Sequence, residues 1–168
     1  MSIGGNLKLA TRERIAGLLH YDPINGAFTW KCSRIGRVKE GDPAGYVRSD
    51  GYVGIKIDGR RYLAHRIAWI IVHGAWPTME IDHINGDRAD NRISNLRDIS
   101  HRMNGQNKRA AQANSTTGFI GVSKHRGRFF AQIGIVDGKR WIGYFPSAEE
   151  AHAAYIDAKR ELHQGCTI

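Results

Sequence analysis

With 168 residues, a 41% hydrophobic fraction and a formal charge of +9, the chain can bury one core or two small ones and favours a polyanionic partner. No apolar run approaches the roughly 20 residues of a membrane span, and Met1 to Lys8 lacks the hydrophobic segment of a signal peptide. Its two cysteines, Cys32 and Cys166, lie at opposite ends of the sequence, which argues for a reducing cytoplasm and against a disulfide framework or a structural zinc site.

In chain order, Thr11 is placed to cap a short helix whose Ile15, Leu18 and Leu19 have helical spacing. Tyr21-Asp22-Pro23-Ile24-Asn25-Gly26 turns the chain into a strand at Phe28 to Trp30, with another near Ala44 to Val47. Val53 to Ile57 alternates and meets Asp58-Gly59, a type I′ hairpin signal. Arg66 to His73 is almost continuously apolar and reads as a buried helix ended by Pro77. Met79 to Ile81 then forms a strand, residues 84–94 a long loop, and Leu96 to Ile99 a return strand, after which Ser100 caps a helix carrying Asn104.

Residues 107–117 are small and polar and read as a linker. Beyond them come strands at Phe119 to Lys124, Phe129 to Val136 and Lys139 to Phe145, the last two joined at Asp137-Gly138. Ser147 and Glu150 form a capping box before a helix with the apolar stripe Ala151, Ala154, Tyr155, Ala158 and Leu162.

The chemistry concentrates in Asp82-His83-Ile84-Asn85-Gly86-Asp87, with Asn91, Asn95 and Asn104 following. Phosphodiester hydrolysis needs a base that works near neutral pH and a divalent cation to absorb charge on the phosphate and the departing 3′ oxygen. His83 suits the first role and Asp82 the second. Neighbours on a strand point to opposite faces, so sharing one site requires a bend, which the Gly86 turn allows. A calcium loop of EF-hand type fails because Ile84 stands where a second acidic or amide ligand belongs.

Residues 60–108 resemble the HNH endonucleases of the ββα-metal fold, particularly the small phage-type and homing enzymes. The resemblance is carried by Ala64-His65-Arg66-Ile67-Ala68-Trp69, His73-Gly74-Ala75-Trp76-Pro77, the Asp82 to Asp87 segment, Asp90-Asn91-Arg92-Ile93-Ser94-Asn95-Leu96-Arg97 and Asn104 to Lys108. It implies that His83 activates the water, that Asp82 and Asn104 bind the metal, and that Asn95 braces the loop and orients the histidine. The third motif residue is often histidine; an amide at Asn104, twenty-one residues after His83, favours magnesium or manganese over zinc. Asn107 is the alternative second ligand. His65 is left outside the catalytic set, as a histidine entering an apolar helix.

Residues 118–155 resemble the plant ethylene-response-factor type of DNA-binding domain, through Gly121-Val122, Gly127-Arg128, Ala131-Gln132-Ile133, Gly138-Lys139-Arg140, Ile142 to Phe145, Glu149-Glu150-Ala151 and Ala154-Tyr155. That family lays a three-stranded sheet in the major groove. Phe129 and Phe130 stand where it commonly has tryptophan, so no target sequence is carried over. Charge agrees: Lys124, Arg126, Arg128, Lys139 and Arg140 face a single acid, Asp137, over the strands, whereas acids outnumber bases on the helix. Arg126, Arg128, Lys139, Arg140 and Trp141 are the candidate DNA contacts, joined by Arg97 and Lys108 near the catalytic motif.

The expected architecture is α+β: an accessory α+β region at 1–57, a ββα-metal nuclease at 58–110, a linker at 111–115, and a three-stranded antiparallel sheet packed on one helix at 116–168. The expected activity is a metal-dependent endonuclease on double-stranded DNA using Mg2+ or Mn2+ and no small-molecule cofactor, leaving 5′-phosphate and 3′-hydroxyl ends. One site per chain implies a monomer or weak dimer acting in the cytoplasm, of the bacterial host if the gene is a phage's. The rivals are an inactive DNA-binding regulator that keeps the nuclease frame and an RNA-directed nuclease.

Overall fold

The computed structural model describes residues 9–33, 36 and 38–167; the signal-peptide reading of Met1 to Lys8 lies outside them. The chain divides into two compact units, Met1–Asp98 and Ile99–Ile168. Among the described residues no helix is long and apolar enough to cross a membrane.

In the first unit, α1 (Arg12–Leu18) starts where the Thr11 side chain accepts a hydrogen bond from the Arg14 amide at 3.2 Å. It leads into β1 (Leu19–Tyr21), paired antiparallel with β2 (Phe28–Trp30). Residues 42–44 run beside β2, so the next strand, β3 (Tyr46–Val47), is shorter than the sequence suggests. It pairs with β4 (Val53–Ile57), which returns as β5 (Arg60–Leu63) through Asp58-Gly59. Both turn residues have positive φ, 47° and 81°, as a type I′ turn requires.

Helix α2 (Ala64–His73) begins two residues earlier than its apolar run implies, and Gly74 rather than Pro77 stops it: the glycine sits at φ 84° and its amide closes on the Ile70 carbonyl at 2.9 Å. β6 (Glu80–His83) pairs with β7 (Leu96–Ile99), and the division between units falls inside β7. One buried cluster runs from Ile15 and Leu19 through Ile55, Ile57, Ile67 and Ala68 to Ile81 and Leu96, so the helix and strands before residue 58 and those after it share a core.

In the second unit, Ser100 caps α3 (His101–Gln106) by accepting from the Met103 amide. A three-stranded antiparallel sheet follows, in the order β10-β9-β8, made of β8 (Val122–His125), β9 (Arg128–Ile135) and β10 (Gly138–Phe145). β8 starts three residues later than expected because Gly121 turns at φ 75° with the Tyr155 ring lying where a side chain would go. Arg126 and Gly127, both at positive φ, make the β8–β9 turn. At the other hairpin the pairing of Gly138 with Ile135 leaves Val136-Asp137 as the loop, one residue ahead of the predicted Asp137-Gly138.

Helix α4 (Ala148–Leu162) packs Ala151 and Tyr155 on Val122, Ala131 and Ile133. Its cap is made by Ser147, which accepts from the Glu150 amide at 3.1 Å and donates to the Glu150 carboxylate. Lys159, which the sequence pattern treats as surface, is 1% exposed and donates to the Lys108 carbonyl at 2.5 Å.

Candidate functional site

β6 ends with Ile81, Asp82 and His83 all buried, so both of its faces are covered where the acid and the histidine emerge. The loop after it is built from its own polar side chains. Asn95 is buried and its carboxamide works at both ends: Oδ1 accepts from the Asn85 amide at 2.9 Å, and Nδ2 donates to the Asp90 carbonyl at 3.0 Å. Its backbone carbonyl receives the Ile84 amide at 2.8 Å, one residue beyond His83. Asp90 accepts from Arg92 and from Asn85, and its fork with Arg92 holds its carboxyl down at about 2. Gly86, at φ 78°, donates its amide to the His83 carbonyl and closes a turn just after β6.

Asp82 is gripped by Arg97 from the neighbouring strand, whose Nε and Nη2 both donate to Oδ2, at 2.9 and 2.7 Å. A residue expected on DNA thus contacts the expected metal-binding carboxylate. Burial holds the His83 imidazole below the ordinary histidine value, while the Asp82 carboxylate and the Asn91 amide pull the other way. Asn91 is anchored through Nδ2 to the Ala89 carbonyl at 2.8 Å, and its own carbonyl accepts from the Tyr21 hydroxyl at 2.8 Å.

Two rings not assigned from sequence stand against His83. The His65 imidazole lies 5.0 Å from it at 87°, and the Tyr52 ring 5.8 Å from it. Spacing along the chain carries no signal of this meeting, because the three residues come from a turn, a helix start and a strand end.

His65 is 4% exposed, and burial, with smaller contributions from His83 and Arg66, pushes it down from 6.5 to about 3. Its folded value is depressed, so the unfolded chain takes the proton first. Stability present above about pH 6.5 is therefore lost as pH falls towards 3, at up to about 1.4 kcal/mol per unit. Urea unfolding at pH 7 and pH 5 should show this loss shrinking in His65→Phe; an unchanged acid dependence would contradict it.

Residues 62–106 match the family model for HNH endonucleases. The comparisons with curated proteins and with solved structures give no match. The HNH stretch thus holds the hairpin, the braced loop and α3, and it supports a nuclease-type function with a nucleic acid as substrate. Tyr52, Tyr21 and the residues around Gly26 lie before it, although they touch its loop or its histidine.

In the second unit, Asn104 lies in α3, with its amide bonded to the Ser100 carbonyl. Asn107 caps the same helix; its side-chain oxygen accepts from the Thr167 hydroxyl. Lys108 is exposed. The register of the sheet places Arg128, Gln132, Lys139 and Trp141 on the face turned away from α4, whereas Arg140 pairs with the core residue Ile133 on the helix side and Arg126 sits in a turn. The outward face carries an aromatic cluster: Trp141 stacks on Phe130 at 5.1 Å and meets Tyr144 at 4.9 Å, with the Arg128 guanidinium 5.1 Å over the Tyr144 ring. Alternation along β9 would have found Phe130; the shift in register between Trp141 and Gly143 hides Tyr144 from the same reasoning.

Proposed function

We propose that the chain is a metal-dependent, site-preferring DNA endonuclease of phage or mobile-element type, acting in the cytoplasm and leaving 5′-phosphate and 3′-hydroxyl ends. The observation that carries this reading is the buried His83, set beside Asp82 in a loop braced by Asn95, within the stretch that matches HNH endonucleases. Held neutral by burial, the His83 ring has a nitrogen lone pair available at neutral pH to take a proton from water.

The donors suit a hard cation. Among the described residues no three His, Cys, Asp or Glu side chains gather into a metal-binding group, so Asp82 supplies the charged oxygen and amide, water or phosphate oxygens supply the rest, as magnesium and manganese accept. Asn104 is the proposed amide ligand, as the resemblance to HNH endonucleases implies, with Asn107 the alternative at the end of the same helix. Bound there, the cation supplies charge stabilisation for the phosphate and its departing oxygen. The outward sheet face, with Arg128, Lys139 and Trp141, is the proposed duplex-binding surface of an ethylene-response-factor-like module, with Arg126 and Lys108 as flanking phosphate contacts, whereas Arg140, expected on DNA, lies on the helix side of the sheet.

One observation favours a second reading. The Arg97 fork already balances the charge of Asp82, the carboxylate proposed to hold the cation, as suits an inactive DNA-binding regulator. Nicking of supercoiled plasmid with magnesium, manganese or excess chelator separates the two. Metal-dependent open circles support the nuclease; intact plasmid of phage and host sequence alike, bound in a salt-sensitive manner, supports the regulator.

A further inference from the structure

His65 is the second residue of α2 and Tyr52 precedes β4, so neither belongs to the loop that follows His83. Their rings enclose it nonetheless. The two imidazoles stand edge to face, and Tyr52 lies 5.3 Å from His65 as well as 5.8 Å from His83. Arg88, from the catalytic loop, closes the group from outside: its guanidinium sits 5.0 Å over Tyr52 and donates to the Asp50 carbonyl at 2.8 Å.

Packing alone does not account for His65. Its Nδ1 is buried without a hydrogen-bond partner, a cost that an apolar side chain would avoid. The torsion that sets an imidazole's plane is broad and roughly two-fold when nothing flanks the ring, and a base whose lone pair swings out of line loses its proton transfer.

We propose that His65 is a positioning residue: with Tyr52 it forms a ring frame that fixes the plane of the His83 imidazole. Its effect on cleavage rests on the nuclease reading, whereas the frame itself does not. Tyr52 lies outside the matched stretch, so residues before that stretch complete the site.

The test compares wild type, His65→Ala, His65→Phe and Tyr52→Leu in plasmid nicking, alongside carbon-detected spectra of the His83 ring assigned with His83→Gln. His65→Ala should lower kcat by about 10–100-fold with KM within about twofold and should shift the His83 resonances. His65→Phe, which keeps a flat ring, should restore both to near wild type. Unmoved His83 resonances in folded His65→Ala would overturn the frame, and so would a folded His65→Phe as impaired as the alanine variant. Where His65→Ala fails to fold, Tyr52→Leu asks the same question from the half-buried side. If wild type cuts nothing, the nuclease reading fails while the ring spectra still decide the frame.

Discussion

His83→Ala should lower the rate of plasmid nicking by roughly 100- to 10,000-fold, the usual worth of a positioned general base, and leave DNA binding intact. Binding survives because His83 is 4% exposed and contributes little surface to a duplex. The pH profile carries a second expectation. As the proposed base, His83 would act as the neutral ring, and burial lowers its proton affinity below the ordinary histidine value. The acid limb of single-turnover cleavage should then fall below the pH range of a free histidine, with activity level through neutrality. Full activity in the alanine variant, or an acid limb above pH 7, would remove His83 from the role.

The second large effect is expected far from that motif in sequence. Gly26 has φ 76°, and a Cβ there would come within 2.6 Å of the Arg92 nitrogen and 2.7 Å of the Asn91 carbonyl carbon. Both obstacles are backbone, which cannot rotate aside. Gly26→Ala should therefore cost about 3–4 kcal/mol, from the left-handed conformation and the overlap together. Because the displaced segment includes Asn91, nicking should fall more than the loss of folded protein explains. Chemical denaturation and cleavage at a temperature where the variant stays folded measure the two separately; a stability within about 0.5 kcal/mol of wild type would refute the close approach.

What sequence made legible was local. The caps at Thr11, Ser100 and Ser147 and the Asp58-Gly59 turn each depend on a few adjacent residues, and each stands in the structure. The Asp82-His83 pair and the asparagine spacing likewise announced a nuclease-like loop, and the family match falls over them. Gly74 outranked Pro77 as a helix stop because a left-handed cap satisfies carbonyls at once, whereas proline only forbids continuation. The ring frame, the burial of Lys159 and the grip of Arg97 on Asp82 were illegible because they join elements that no periodicity relates. An arginine near a catalytic motif reads as a phosphate contact until a carboxylate is seen opposite it.

The cluster that links Ile15 to Leu96 also governs how such a gene can be rearranged. A shortened protein starting at Tyr62 would keep the recognisable motif yet strip Ile15, Leu19, Ile55 and Ile57 from the packing around Ile67 and Leu96, leaving an exposed half-core prone to clumping. The inheritable cassette is thus longer at its front than the motif that advertises it.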